Sequence, residues 1–440
     1  MKLSRILIRG VKIILYALLG IIVLIFAIYF GPALWKNWIT YPRLEEQRAA
    51  LWKQYKKPDT FITLNSYRGV LHSHSYWSHD SRGTLAEIME GAKKAKFDFI
   101  FLSDHAHNKL DTLPRGYHGK FDGVIFEAGT EGDWGLMVTP FDSVVIDWSQ
   151  SFDSVVHQVV SNHGLVTYVH SEKKHPWGNP EYQAMEIYNI HSDFLDEKGG
   201  YLPLVINNTV NGERYKQWSF REIYDDQTAI LANWDSINQA RRITGIAGVD
   251  AHNNNNFRAR YTEDGLVEWV GPNAKTISVK EANWLDKLLL SEPDKHGWAY
   301  KWELDPYFIS FNYVNDHVFS DTFSNVGIKE NIIKGHVFIA FESLAMSDGF
   351  QYFATDDHGN VTAILGDSIS KEQASTLKAV SPYPVKFKLF KQGEVVKETE
   401  AQYEFEYDVQ NNIGNYRIVA YVNLDDKWVP WIFTNPIYIH

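Results

Sequence analysis

Ile13 to Phe30 is an unbroken apolar run that divides the chain before any other feature of its fold. As a helix it is long enough to cross the ~30 Å hydrocarbon layer of a bilayer, and Gly31 and Pro32 are expected to close it. Lys2, Arg5, Arg9 and Lys12 precede the run, whereas only Lys36 follows it closely. This bias places the N-terminus in the cytoplasm and the remaining ~400 residues outside, as a single-pass membrane protein. A cleaved signal peptide is the rival reading, but the run is long and no small-x-small site follows it. Residues 1–35 are therefore read as a transmembrane anchor, and 36–65 as a polar connector with a short helix over Leu44 to Tyr55.

With 440 residues, the chain exceeds what one hydrophobic core of ~250–300 residues accommodates, so more than one folded unit is expected. Removing the four N-terminal positive charges from the net charge of −11 leaves −15 on the rest. A body this acidic is a poor general binder of polyanions, and no nucleic-acid partner is expected. Cysteine is absent, so any metal must be held by histidines and carboxylates.

From about residue 66 strand and helix patterns alternate. Short apolar strands are predicted at Gly69 to Leu71, Phe97 to Leu102, Val124 to Phe126, Leu165 to Val169, Met185 to Tyr188 and Ile243 to Val249. Helices are predicted at Thr84 to Lys96, Phe152 to Asn162 and Ala229 to Arg241, the first opened by the capping box Thr84 and Glu87. Such alternation indicates an α/β barrel or a doubly wound sheet. Beyond about residue 325 the apolar period becomes two, as in Val385 to Phe390, Tyr403 to Tyr407 and Tyr416 to Val422, which predicts a small antiparallel β-sandwich over 326–440.

Twelve of the seventeen histidines fall within residues 72–252, many of them at the C-terminal ends of predicted strands. In α/β barrels those ends share one face, so polar groups far apart in sequence converge there. His72 and His74, two apart on an extended segment, project to the same side, a common geometry for holding one metal ion. His79 follows in Ser78 to Ser81, then Asp104 with His105, Glu131, His170, Glu186 with His191, and Asp250 with His252. One strand-end histidine is usually structural; this many in succession point to Zn, Mn or Fe. His107, His118, His157 and His163 read as surface or structural residues, and Glu186 as either a support to the site or a structural acid.

Leu71-His-Ser-His-Ser-Tyr-Trp-Ser-His-Asp80, Leu102-Ser-Asp-His105, Gly129-Thr-Glu131, Tyr168-Val-His170 and Gly248-Val-Asp-Ala-His252 together resemble, in order, the motifs of the PHP (polymerase and histidinol phosphatase) family of metal-dependent hydrolases. The resemblance implies a distorted (β/α)7 barrel over residues 66–325 with two or three divalent ions. It implies that His72, His74, Glu131 and Asp250 hold the first ion, with Glu131 bridging to a second on His170 and His191. His79, His105 and His252 would hold a third. His175, followed by Pro176, is the alternative to His170. Asp104, Glu131 and His252 are expected to serve the reaction, Asp104 by orienting a ligand or carrying a proton. Arg258 and Arg260 are candidates to hold an anionic substrate.

The expected activity is phosphoester hydrolysis outside the cytoplasm, on a phosphorylated small molecule, glycan or lipid head group. Ile333 to Ala340 and Pro430 to Ile437 resemble the tail of exported PHP relatives grouped with carbaryl hydrolase, which raises carboxyl or carbamate ester hydrolysis as a second activity. A membrane-tethered binding module with an inactive barrel is the non-enzymatic alternative.

Overall fold

The computed structural model describes residues 2–105, 116–139, 146–195, 200–409 and 412–440. Helix α1 (Lys2–Trp35) runs through a π-helical turn, Lys36–Thr40, into α2 (Tyr41–Trp52). The stretch within Gly10–Trp52 is long and apolar enough to cross a membrane, and its apolar side chains from Val11 to Tyr29 are exposed on every side. Gly31 and Pro32 do not end the helix as expected: Pro32 lies inside it. The body holds the helix just beyond. Asn211 donates to the Ala33 carbonyl (3.0 Å), Asn37 donates to Asn211 (2.8 Å), and Lys36 pairs with Glu222 (2.8 Å). The connector helix also begins earlier than expected, at Tyr41, with Pro42 where the π-helical turn gives way to α2.

Strand β1 (Asn65–Val70) is followed by α3 (Leu85–Lys94) and β2 (Phe99–Phe101), then β3 (Val124–Glu127). The three strands pair in parallel, with Gly69 opposite Phe99 and Phe99 opposite Ile125. A Cβ at Gly69 would lie 2.2 Å from the Phe99 carbonyl oxygen, so this close pairing requires glycine. The capping box of α3 forms as predicted, Thr84 and Glu87 exchanging side-chain and backbone hydrogen bonds.

A second sheet contains β4 (Thr130–Gly132), β5 (Leu136–Thr139), β6 (Leu165–Tyr168), β7 (Ala184–Asn189) and β8 (Thr244–Gly248) in that order. Between these strands lie α4 (Phe152–Ser161), α5 (Tyr201–Asn211) and α6 (Thr228–Ala240). Beyond β8 an insertion not foreseen from the sequence forms a third sheet. Its order is β11-β10-β9-β12, from β9 (Asn256–Tyr261), β10 (Val267–Val270), β11 (Thr276–Lys280) and β12 (Tyr300–Glu303), with α7 (Trp284–Leu289) before β12.

One continuous ladder does not close the expected barrel. The first two sheets meet where their strands end: Ser73 bridges Ala251, Ser103 N–H donates to Ser73 O (2.9 Å), and Glu131 N–H donates to Ser103 O (3.1 Å). These bonds form a ring of backbone at the end where the histidines lie. At its other edge β1 pairs antiparallel with β13 (Asn315–Ser320), which pairs with β14 (Val337–Ala340).

The C-terminal strands expected as a sandwich continue this same sheet: β14 pairs with β17 (Lys427–Thr434), and β17 with β16 (Gly414–Leu424). Strand β15 (Thr376–Lys391) changes partners along its length, and its register jumps between Val380 and Val385. Pro382 and Pro384 occupy that gap, and neither has an N–H to give to a ladder.

Asp316 on β13 accepts a hydrogen bond from Ala247 N–H (2.9 Å) at Oδ1, while Oδ2 has no hydrogen-bond partner among the described residues. Burial holds its pKa well above the usual carboxylate range. A carboxyl whose folded pKa is raised stabilises the fold when protonated. That contribution is complete below the unfolded pKa and is lost as pH rises through the folded value. Wild-type thermal stability is therefore expected to fall more than that of Asp316→Asn between about pH 5 and about pH 9; equal pH slopes in calorimetry would refute a protonated Asp316.

Candidate metal centre

His72 and His74 leave the end of β1, Glu131 lies on β4, and Asp250 follows β8. His72 Nε2 is 3.1 Å from both Glu131 Oε2 and Asp250 Oδ1, and His74 Nε2 is 3.4 and 3.2 Å from the same two atoms. Four ligands about 2.0–2.1 Å from a tetrahedral ion are separated from one another by about 3.3 Å, so these spacings are those of an ion's coordination edges. Asp250 Oδ1 also lacks a hydrogen-bond partner among the described residues, despite this crowding. The donor set fits a divalent cation.

Asp80, His105 and His252 form an adjoining group that also reaches His74. His252 Nε2 lies 3.1 Å and His105 Nε2 3.6 Å from Asp80 Oδ2, and His252 Nε2 has no hydrogen-bond partner among the described residues. One imidazole nitrogen cannot serve two ions, so with His74 in the first group, Asp80, His105 and His252 make up the second. A third group lies across the carboxylates. His170 Nε2 is 3.1 Å from Glu131 Oε1, and His191 Nδ1 is 3.7 Å from Asp250 Oδ2. Glu131 and Asp250 thus each turn one oxygen to the first group and the other towards the third.

The charges are mutually arranged. Burial opposes ionisation of Glu131 and Asp250, yet His72 and its neighbours hold both carboxyls well below their usual range. Burial likewise opposes charge on His72, but Asp250, Glu186 and Glu131 push its pKa well above the usual value. His252 is pushed up to about 9 by Asp250 and Asp80 against its burial, whereas burial and His74 bring His105 down to about 4.

Glu186 is a support to the site: its Oε1 meets His72 Nδ1 at 2.6 Å, and its Oε2 accepts from His170 N–H (2.7 Å) and Asn189 (2.6 Å). This contact aims His72 Nε2 into the cluster. A Cβ at Gly248 would lie 2.2 Å from Glu186 Oε1, so glycine makes room for that carboxylate. Glu186→Gln is expected to weaken metal binding by about 10- to 100-fold, read by competition with a chelating dye. Unchanged affinity would remove Glu186 from this role.

Backbone strain collects at the same place: His170 and Asp250 have φ of +52° and +49°, left-handed values uncommon outside glycine. His175 is not in the cluster; its Nε2 lies 3.1 Å from the His170 carbonyl and its ring stacks on Tyr168, so it braces the turn that carries His170.

Four expected placements change. His79 is exposed, its ring 5.1 Å from that of His105, and the neighbouring Asp80 enters the cluster instead. The Ser78 N–H donates to the Ser75 carbonyl (3.0 Å), and this turn brings Asp80 rather than His79 to the cluster. Asp104 does not face the cavity: its two oxygens accept from Ser75 N–H (2.6 Å) and Ser75 Oγ (2.8 Å), which fixes that turn, and burial raises its pKa. Arg258 is fully buried beneath Trp298 (4.2 Å), 3.2 Å from Glu87. Arg260, two residues along β9 and so on the same face, pairs with Glu268 at 2.7 Å. Neither arginine lines the cavity.

His118 lies 3.5 Å from Glu127, His157 lies 2.9 Å from Glu181, and His163 follows the end of α4; His107 lies outside the described residues. Asp80, absent from the expected ligands, could have been found by treating the carboxylate beside His79 as its equal in ligand chemistry. The cluster opens into a cavity of about 250 Å³ lined by Asp80, His191, Asp250 and His252, with Phe194, Tyr201 and Asn273 along its sides.

The fold and site define a mixed α/β chain with a candidate centre for divalent metal ions at its strand ends. No family model matches the chain, and no curated protein matches it. Among solved structures it aligns with a two-domain protein from Bacteroides vulgatus described as containing a predicted PHP-like metal-dependent phosphoesterase, at 11% identity and a TM-score of 0.38, over 86% of this chain and 98% of that one. It also aligns with the beta-glucuronidase of Bacteroides uniformis, at 10% identity and a TM-score of 0.16, over 84% of this chain and 46% of that one. Both likenesses are slight, and the functional reading rests on the geometry of the site.

Proposed function

We propose that the chain is a metal-dependent phosphoesterase, anchored in a membrane by α1 with its body outside the cytoplasm. The observation that carries this reading is the sharing of Glu131 and Asp250 between neighbouring ligand groups. A carboxylate that offers one oxygen to each of two sites suits ions held close together, the arrangement used to bring a water and a phosphoryl group into line. Zn, Mn or Fe ions held here would supply Lewis acidity towards phosphoryl oxygens and a nucleophilic water at neutral pH.

The chain's own residues do the rest. Glu186 keeps His72 Nε2 turned inwards, and Asp104 holds the turn that presents Asp80. Phe194, Tyr201 and Phe220 give the cavity aromatic walls. The substrate is read as a phosphoryl group on a small alcohol, a sugar or a lipid head group, a reading that a cavity of about 250 Å³ supports by its size, and the acidic body disfavours nucleic acid.

Purified full-length protein should release p-nitrophenol from p-nitrophenyl phosphate, lose that activity with a chelator, and regain it with one of these ions. Preferential hydrolysis of aryl carboxyl or carbamate esters would replace the phosphoesterase reading. Protein that stays metal-free and inert after growth with Zn and Mn would sink the enzyme reading and leave a tethered binding module. A C-terminal reporter active in the cytoplasm would overturn the topology.

A further inference from the structure

Helix α7 is mounted with its apolar side outwards. Asn283 caps it, accepting from Leu285 N–H (2.9 Å) and Asp286 N–H (3.0 Å), and the buried Asp286 accepts from Trp269 Nε1 (2.9 Å) on the sheet below. The polar side is therefore spent on the protein, while Trp284 is 77% and Leu288 72% exposed, flanked by exposed Leu285 and Leu289. Ile277 and Val279, two apart on β11, are exposed as well. Exposed Lys275, Lys280 and Lys287 border this patch against a single exposed acid, Glu281, over residues 275–290. Bulky apolar side chains ringed by lysines are what an element lying in a membrane interface presents.

The same sheet is tied to the membrane helix. The Glu303 carbonyl on β12 accepts from Asn208 (3.2 Å) on α5, and three residues further along α5 Asn211 donates to the Ala33 carbonyl of α1. Exposed Trp35 and Trp38 follow at once, as in the aromatic belt of a membrane-crossing helix. At 11 residues α5 is only about 16 Å long, so the insertion is braced close to where α1 meets the body. The patch also borders the mouth of the metal cavity: Asn273 lines that cavity, and Ile277 packs beside Gly271 two residues before it.

We propose that the outward face of α7 and β11 is a second membrane contact, seated at the headgroup–acyl boundary of the bilayer that α1 spans and holding the mouth of the metal cavity at the membrane surface. This rests on the reading of α1 as a membrane anchor. Attraction of its lysines to anionic headgroups and burial of Trp284 and Leu288 act together, so the contact is expected to be stronger on anionic than on neutral bilayers.

The chain has no cysteine, so single reporters can be introduced cleanly. Full-length Leu288→Cys, Ile22→Cys and Val395→Cys, each carrying an environment-sensitive fluorophore, would be reconstituted into phosphatidylcholine–phosphatidylglycerol vesicles containing spin-labelled quencher lipids. Ile22 lies in the apolar run, and Val395 is exposed on a C-terminal strand. Strong quenching at position 22, and several-fold more quenching at 288 than at 395, is the expected result. Quenching at 288 no greater than at 395, with position 22 quenched, would overturn the second contact and leave the anchor standing. An unquenched position 22 would instead remove the anchor, and this contact with it. Disulfide-linked dimers of unlabelled Leu288→Cys would show that a second copy covers the patch, and would also overturn the proposal.

Discussion

Glu131→Gln is expected to reduce hydrolysis on the order of 10³-fold, equivalent to ~4 kcal/mol of transition-state stabilisation, and to reduce the metal bound per chain. Glu131 touches every ligand group: its Oε2 lies 3.1 Å from His72, 3.4 Å from His74 and 3.7 Å from His105, and its Oε1 lies 3.1 Å from His170. Glutamine fills the same space but removes the charge and turns one acceptor into a donor, so it cannot serve two sites. Because the substitution is isosteric, the fold should persist. Elemental analysis and turnover measured on the same sample would separate loss of ions from loss of folding. A variant with wild-type rate and metal content would show that Glu131 does not join the sites.

Trp234→Ala is expected to destabilise the body by about 3–5 kcal/mol, as large-to-small changes at fully buried aromatic positions do. Trp234 on α6 joins three parts of the molecule. Its Nε1 donates to the Ile243 carbonyl (2.9 Å) ahead of β8, and Gly245 packs so closely that an added Cβ would lie 2.8 Å from the ring. The Arg417 guanidinium, from β16, lies 5.5 Å over the ring and is held by the adjacent Asp235 through bonds of 2.7 and 2.6 Å. Truncation leaves a void between the second sheet and the C-terminal strands and removes a neighbour of Arg417. Thermal denaturation should show a lower, still cooperative transition, while metal content at low temperature stays unchanged. A variant as stable as wild type would mean that the joint between these sheets lies elsewhere.

What could be read from the chain alone follows from local rules. Apolar length marked a helix long and apolar enough to cross a membrane, Thr84 and Glu87 marked the start of α3, and apolar runs leading to histidine marked β1, β2 and β6 with their cluster residues. Period, capping and spacing act over a few residues, so they survive without knowledge of the fold. By the same reasoning, local rules failed wherever the chain leaves regular structure. The resemblance and the preference for histidine as a ligand favoured His79, but the turn after His74 presents Asp80. Arg258 and Arg260 follow the last cluster residue in sequence, yet the strand they lie on turns them to Glu87, Trp298 and Glu268.

The sequence by itself thus determined many of the strands and helices that form up to β8 and which ligand types gather at strand ends, but not the sheet inserted after β8. Tertiary structure alone decided that the C-terminal strands extend the first sheet through β13 and β14, since pairing between distant strands depends on which edges remain open after the core has packed. It also decided which side chains finally face one another, because left-handed turns at His170 and Asp250 and the carboxylate of Glu186 set directions that no local pattern encodes.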